Sequence, residues 1–204
     1  IIGREAEKML EYVETGTTDS AESSFEVPAA AYTDPEIFAR EKSEIFLKMP
    51  LLAALSAEIP NPGDYKAMEL VGKPILITRK SDGTVAAMYN VCTHRGMMLT
   101  PEGHGSKKRF SCPYHAWTFG NDGKLIGVAE PQKFGPICKE ERNLTALPVA
   151  EAGGIIWVCL TQGLEFDIEK HLDGMLADLE VYDLASWHFC GQRRIYGPNW
   201  KIAY

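Results

Sequence analysis

The sequence predicts a mainly β fold of the α+β class, in which an antiparallel β domain is flanked by short helices. Three observations support this prediction. Short runs rich in β-branched, aromatic and aliphatic residues follow one another between residues 60 and 160. Turn sequences such as Asp82-Gly83 separate those runs. Apolar residues at helical spacing occur before and after that region, which places the helices at its flanks.

Two helices are expected before the β domain. Residues 4–14 have the pattern of a short amphipathic helix, and a polar loop follows them. A second helix is expected over residues 34–47, because Thr33 and Glu36 have the spacing of a capping box. We assign residues 1–50 to an N-terminal helical segment.

The β domain is assigned to residues 51–162. Its turns are expected at Asp82-Gly83 and within residues 120–123, both of which have hairpin sequences. The apolar run that ends at Leu160 is the best candidate for a buried core strand. The predicted strands are Tyr65–Val71, Pro74–Thr78, Val85–Tyr89, Arg109–Ser111, Trp117–Phe119, Lys124–Val128 and Ile155–Leu160.

Residues beyond the β domain are expected to form one surface helix over 168–180, and a further strand is expected to begin within 187–197. We assign residues 163–204 to this linker helix and to the beginning of another domain.

Composition excludes several classes of protein. The chain has 204 residues, of which 45% are hydrophobic, so it can bury a core without disulfides. Its formal net charge of −7 argues against a nucleic-acid partner. No apolar run reaches the roughly 20 residues that a membrane-spanning helix needs. Because a signal-peptide pattern is lacking and the five cysteines are odd in number, we expect a reducing, cytoplasmic location.

Two short motifs carry the chemistry. Cys92 and His94 form a Cys-x-His pair, and Cys112 and His115 form a Cys-x-x-His pair after 17 intervening residues. Each pair places one thiolate and one imidazole in a loop that follows a predicted strand. The two loops are therefore expected to lie side by side at one end of a sheet. Iron–sulfur clusters and zinc are the groups that such donors bind.

This pattern resembles the signature of a Rieske [2Fe–2S] centre, in which two Cys bind one iron and two His bind the other. The resemblance implies that Cys92 and Cys112 bind one iron and that His94 and His115 bind the second. Two neutral imidazoles in place of two thiolates raise the reduction potential above that of an all-Cys ferredoxin. A structural zinc site is the alternative that the same donors leave open.

Neighbouring residues extend the resemblance to the Rieske domain of ring-hydroxylating oxygenases. Arg95 follows the first pair, and Pro113 and Tyr114 lie within the second. Met97 and Tyr114 stand where the respiratory type has two further Cys, so a disulfide-free centre is implied, near the lower end of the range of about −150 to +300 mV. Trp117 is assigned to the cofactor site as a lid that shields the cluster from water, the alternative being an ordinary packing aromatic.

The C-terminal sequence resembles a larger protein. Asn199-Trp200-Lys201 is similar to the segment that opens the catalytic domain of Rieske non-haem iron aromatic ring-hydroxylating oxygenases, in the α (large) subunit. We therefore expect the chain to be an N-terminal fragment of such a subunit, cut at both ends. The mononuclear Fe(II) ligands and a bridging Asp are expected beyond Tyr204, so no catalytic residue is assigned here.

The resemblance also implies a function and partners. Electrons from NAD(P)H pass through a reductase, often by way of a ferredoxin, to the Rieske cluster. They continue to the mononuclear Fe(II) of a neighbouring subunit, where O₂ attacks an aromatic substrate, a reaction of aromatic hydrocarbon catabolism. Family members are trimers of α subunits, with or without β subunits. The alternative is a stand-alone Rieske electron-transfer protein without catalytic iron.

Three further features are candidates for binding or functional sites. The basic run Lys107-Lys108-Arg109 is either a docking surface for an acidic ferredoxin or a solvated hairpin tip. His104, between the ligand loops, is expected to be an exposed loop histidine. The other cysteines are expected to be inert: Cys138, Cys159 and Cys190.

Overall fold

The computed structural model describes residues 2–202, in which every paired strand is antiparallel. The mainly β prediction is confirmed. The described residues form two compact units. Residues 35–197 make up the first and contain every strand, whereas residues 2–34 and 198–202 make up the second.

Helices are short and lie at the two ends of the chain. No helix among residues 2–202 combines the length and the hydropathy that crossing a membrane requires. Within the smaller unit, the Asn199 amide donates a hydrogen bond to the Tyr32 carbonyl over 3.0 Å. The α-helices are α1 (Ile2–Thr15), α2 (Ala30–Thr33), α3 (Pro35–Glu41), which continues as a π-helical turn (Lys42–Phe46), α4 (Ile168–Leu172) and α5 (Met175–Glu180).

Eleven strands form three sheets in the described chain, with the orders β5-β2-β3-β4-β9, β1-β11-β10 and β6-β7-β8. The strands are β1 (Leu51–Leu55), β2 (Asp64–Leu70), β3 (Lys73–Arg79), β4 (Val85–Tyr89), β5 (Gly103–Ser106), β6 (Arg109–Ser111), β7 (Thr118–Gly120), β8 (Leu125–Gly127), β9 (Ala146–Leu147), β10 (Val149–Ala152) and β11 (Ile155–Val158).

The five-stranded sheet is covered on both faces, which explains why three consecutive apolar residues of β3, Ile75, Leu76 and Ile77, are all buried. Successive side chains of a strand point to opposite faces. Ile75 and Ile77 join a core with Ile156 of β11, whereas Leu76 joins a second core with Phe119 of β7. The small sheets therefore pack against the five-stranded sheet, and the second core contains residues of both ligand loops.

The three-stranded sheet containing β1 joins distant parts of the chain. Leu51 pairs with Val158 and Leu55 pairs with Ile155, so the two ends of the β domain meet in one strand pair.

A side-chain hydrogen bond connects the five-stranded sheet to the sheet that contains β7 and β8. The buried Thr78 hydroxyl of β3 donates to the Asn121 carbonyl over 2.5 Å. This bond ties the turn between β7 and β8 to the central sheet.

Three local predictions are wrong. The single helix over 168–180 is interrupted, because Asp173 (φ 43°) and Gly174 (φ 90°) adopt left-handed conformations between α4 and α5. Residues 187–197 form no strand. Thr33 does not begin the second helix, since it ends α2 and its hydroxyl donates to the Ala29 carbonyl.

Four strands were not predicted: β1, β5, β9 and β10. β5 has the sequence Gly-His-Gly-Ser, which lacks the apolar alternation of a strand. β5 pairs with β2 and so forms one edge of the five-stranded sheet. In this strand pair Lys66 lies opposite His104. Tertiary pairing, and not local propensity, creates this strand.

Candidate metal centre

The two ligand loops have the same backbone design. Cys92 N–H donates to the Met97 carbonyl over 2.8 Å, and Cys112 N–H donates to the Trp117 carbonyl over 2.8 Å. In each loop the N–H four residues after the cysteine returns to that cysteine's carbonyl, from Gly96 in the first and Ala116 in the second, over 2.9 Å in both. Gly96 and Ala116 both have positive φ, 73° and 53°. The loops are therefore structurally equivalent turns.

The structure brings the two predicted ligand pairs together. The rings of His94 and His115 lie with their centroids 4.8 Å apart and their planes at 61°. Cys92 and Cys112 are both buried in the core cluster below the loops, and their thiols interact electrostatically. The two imidazoles thus lie beside each other, and so do the two thiols. The strands β4 and β6, which end shortly before the loops, fix the position of this constellation of four side chains.

Two ring nitrogens test whether these residues fit an iron–sulfur cluster. Nδ1 of His94 and Nδ1 of His115 are buried, and neither has a hydrogen-bond partner among residues 2–202. A buried polar atom without a partner is costly, by about 1–3 kcal/mol. Ligation by iron would satisfy both atoms at once. The donor set of two thiols and two imidazoles therefore fits a Rieske cluster.

When no metal is bound, burial shifts the pKa values of the Cys92 thiol and the His94 imidazole. It raises the pKa of the Cys92 thiol, and the neighbouring Cys112 raises it further. Burial lowers the pKa of His94, and the positive charges of His115 and Arg95 lower it further. The site therefore favours a neutral thiol and a neutral imidazole. A neutral imidazole is the form that ligates metal, while a bound metal supplies the positive charge that a buried thiolate needs.

Trp117 lies where a lid over one imidazole would lie. Its ring is 4% exposed and stacks on His94 with a centroid separation of 4.8 Å and an interplanar angle of 7°. Its Nε1 is buried and has no hydrogen-bond partner in the described part of the chain. The ring covers His94, and its effect on a cluster remains a prediction.

Two aromatic residues near the predicted ligands were not assigned to the site from the sequence. The ring of Phe134 stands edge-on to His94, at 5.5 Å between centroids and 80° between planes. Tyr114 stacks on His115 at 3.7 Å and is 57% exposed. Tyr114 lies between two predicted ligands, so its position was a usable signal. Phe134 comes from a distant loop, and nothing in its local sequence indicated the contact.

Thr93 links the first ligand loop to the loop that carries Phe134. Its hydroxyl donates to the Arg142 carbonyl over 2.7 Å. The residue between Cys92 and His94 therefore anchors a segment far along the chain.

The remaining candidates lie outside the constellation. His104 is in β5 and not in a loop, and its Nε2 contacts Glu58 Oε2 over 2.8 Å. Lys107 Nζ lies 5.4 Å from the centroid of the Tyr65 ring, so one charge of the basic run packs on the domain. Cys159 is fully buried and behaves as a small core residue, whereas the remaining two cysteines are exposed: Cys138 and Cys190.

Comparison with known proteins agrees with this geometry. Residues 49–148 match the family model described as Rieske [2Fe-2S] domain. This match contains both ligand loops.

Two curated relatives extend the similarity beyond that domain. The chain is 32% identical over 201 residues to the glycine betaine monooxygenase oxygenase subunit of Pseudomonas aeruginosa (strain UCBPP-PA14), covering 95% of this chain and 46% of the relative. It is 34% identical over 196 residues to the salicylate 5-hydroxylase large oxygenase component of Ralstonia sp, covering 89% of this chain and 46% of the relative. The chain thus spans about half the length of these relatives.

A solved structure shows the same fold. The apo form of a quaternary ammonium Rieske monooxygenase, CntA, superposes with a TM-score of 0.72 at 33% identity, over 78% of this chain and 46% of that one. The similarity in sequence and fold leads to one conclusion: this chain contains a Rieske [2Fe–2S] domain, and it matches the N-terminal portion of Rieske oxygenase large subunits.

Proposed function

We propose that this chain is the electron-relay portion of a terminal oxygenase. Cys92 and Cys112 would bind one iron of a [2Fe–2S] cluster, and His94 and His115 would bind the other through Nδ1. The observation that carries the proposal is the pair of buried Nδ1 atoms that have no hydrogen-bond partner among residues 2–202, together with two buried thiols in the same two loops. When bound, such a cluster takes up and releases single electrons.

The protein's own residues would then have distinct roles. The equivalent turns around Cys92 and Cys112 hold the thiols at fixed positions, and the imidazoles supply neutral donors. Trp117 covers one face of His94 and excludes water from it. Water exclusion and hydrogen bonding around a cluster are the means by which a protein adjusts its potential.

For the whole protein we propose an oxygenase that takes electrons from NAD(P)H through a reductase, with or without a ferredoxin. A mononuclear Fe(II), held by residues outside this chain, would activate O₂ in a trimer of such subunits, with or without β subunits. We propose the cytoplasm as its location and residues 51–162 as the electron-relay domain. Residues 1–50 and 163–204 would be the N-terminal segment and the start of the catalytic domain.

We propose a small aromatic molecule as the substrate, as for the salicylate hydroxylase relative. A small quaternary ammonium compound is the second candidate, because one similar relative is a glycine betaine monooxygenase and a similar solved structure is a quaternary ammonium monooxygenase. Oxygen uptake by the whole protein and its reductase, measured with salicylate and with glycine betaine, distinguishes the two candidate substrates.

The similarity outside residues 49–148 favours an oxygenase subunit over a stand-alone electron carrier. An electron carrier needs the Rieske domain alone, yet the match to the betaine monooxygenase subunit covers 95% of this chain. The flanking segments are therefore related to an oxygenase as well.

Iron and acid-labile sulfide per polypeptide test the cluster. We expect two iron and two sulfide in anaerobically prepared protein, together with the electron paramagnetic resonance spectrum of a reduced Rieske centre. Cys92→Ser should lose both iron and sulfide, because a hydroxyl is a poor ligand for this cluster. The matched control is Cys190→Ser, which changes an exposed cysteine outside the loops and should retain both. Bound zinc without sulfide would refute the proposal.

A further inference from the structure

An aromatic wall surrounds His94 and not only the Trp117 ring that stacks on it. Phe134 meets His94 edge-on at 5.5 Å between centroids and meets Trp117 edge-on at 5.9 Å. Phe134 is partly buried and packs against the core that contains both ligand cysteines. It therefore contacts both His94 and the Trp117 ring that stacks on His94.

The segment carrying Phe134 is ordered by a local turn and is tied to the first ligand loop. A 3₁₀ turn (Pro131–Lys133) precedes it, and Phe134 N–H donates to the Pro131 carbonyl over 3.1 Å. Farther along, the Arg142 carbonyl accepts the hydrogen bond from Thr93. Since Thr93 is inside the first ligand loop, the Phe134 segment and that loop are fixed to each other.

A cavity lies beside Phe134. Its volume is about 390 Å³, and its lining includes Val128, Phe134, Pro136 and Ile137. Phe134 thus lines the cavity and contacts His94 as well. Removal of its ring would therefore extend the cavity toward the imidazole.

We propose that Phe134 is a positioning residue of the electron relay, which holds the His94 ring against Trp117 and keeps water in the neighbouring cavity away from it. This inference rests on the proposed function. A bound cluster becomes more negative by one charge when it is reduced, and water stabilises charge better than hydrocarbon does. By excluding water, Phe134 would lower the reduction potential.

The test compares Phe134→Ala and Phe134→Leu with the unchanged protein in the cluster-loaded form. The midpoint potential is measured at one fixed pH. Deuterium coupling to the reduced cluster in D₂O is measured by electron spin-echo modulation. Phe134→Ala should increase the deuterium coupling. It should also raise the ratio of reduced to oxidised protein at a fixed potential by up to about tenfold, which corresponds to 59 mV. Phe134→Leu retains apolar volume and should change both quantities less.

Phe38→Ala is the matched control, because Phe38 is a half-exposed phenylalanine of α3, outside the ligand loops. It should leave both readings unchanged. A Phe134→Ala protein with full iron and sulfide, and with unchanged potential and deuterium coupling, would overturn the inference while the proposed function stands. Absence of iron and sulfide from the unchanged protein would instead refute the proposed function. If Phe134→Ala does not load, Phe134→Leu decides by the same two readings.

Discussion

Ala116 and Gly96 occupy equivalent positions in the two ligand loops, yet they differ in backbone strain. Both have positive φ, which glycine adopts freely and alanine does not. An added Cβ at Gly96 would meet no atom within 4 Å, so backbone conformation alone decides the effect of a substitution there.

We therefore predict that Ala116→Gly stabilises the protein by about 1 kcal/mol. The reciprocal substitution Gly96→Ala should destabilise it by a similar amount. Urea unfolding of samples with equal iron content measures both changes. A destabilising Ala116→Gly would show that the alanine methyl group contributes packing that outweighs the strain.

The four proposed ligands could be identified from the sequence, whereas their surroundings could not. Cys92, His94, Cys112 and His115 stand at spacings that few other functions require, and the structure gathers them. Phe134 reaches His94 from a loop whose path depends on tertiary contacts such as the bond between Thr93 and Arg142. The residues around Phe134 in the sequence give no indication of its contact with His94.

At the scale of elements, a buried ion pair holds β2 to the turn after β1. Lys66 Nζ lies 2.7 Å from Glu58 Oε2, and both side chains are 7% exposed. Glu58 also accepts hydrogen bonds from Leu55 N–H and contacts His104 of β5. Burial raises the pKa of Glu58, but these partners outweigh burial and hold the pKa below its usual value of 4.5.

The sign of the pH effect follows from that lowered pKa. Folded protein binds the Glu58 proton more weakly than unfolded protein does, so this group stabilises the fold above pH 4.5. Its contribution is lost as the pH falls through the lower, folded pKa. Protonation therefore weakens the connection among the β1 turn, β2 and β5.

We predict that Lys66→Met lowers the free energy of unfolding at pH 7 by about 3 kcal/mol, because it leaves a buried carboxylate without its ion-pair partner. The variant should also lose less stability than the parent on acidification from neutral pH to below pH 4.5. Urea unfolding across that range measures both effects. Lys48→Met, which removes an exposed pair with Glu44, is the control and should change little. If the parent and Lys66→Met lost the same free energy of unfolding on acidification, the assignment of this pH dependence to Glu58 would be contradicted.

Elements with a strong local pattern were predicted well, and those made by pairing alone were not. β3 and β4 were predicted correctly because apolar runs flank the Asp82-Gly83 turn. β5 was missed because pairing with β2 makes it a strand, despite its glycines. The helix over 168–180 was predicted as one because apolar spacing persists through Asp173 and Gly174, where the backbone turns.

For the whole molecule, charge is distributed unevenly. The protein has 21 Lys and Arg against 28 Asp and Glu, but residues 91–145, around the ligand loops, hold eight Lys and Arg against five Asp and Glu. Lys107 packs on aromatic rings, whereas Lys108 and Arg109 are exposed where β6 leads into the second loop. An acidic electron donor would be attracted to this end of the domain.

We predict that the double variant Lys108→Gln and Arg109→Gln slows reduction by an acidic ferredoxin about tenfold at low ionic strength, with the difference vanishing at high salt. Stopped-flow absorbance of the cluster measures the rate. Lys170→Gln in α4 removes one positive charge outside residues 91–145 and serves as the control. An unchanged reduction rate in the double variant would show that the basic run Lys107-Lys108-Arg109 is a solvated hairpin tip and not a docking surface.

The pairing of Leu51 with Val158 has a consequence for biosynthesis. A ribosome releases the chain from its N-terminus, so both cysteine loops emerge before the partner strand of β1 leaves the ribosome. Until Val158 is available, β1 has no strand partner and the core around Ile156 is open. Delivery of iron and sulfide to a nascent chain would therefore meet exposed thiols on an incomplete scaffold. The closing strand pair makes completion of this domain a late event in translation.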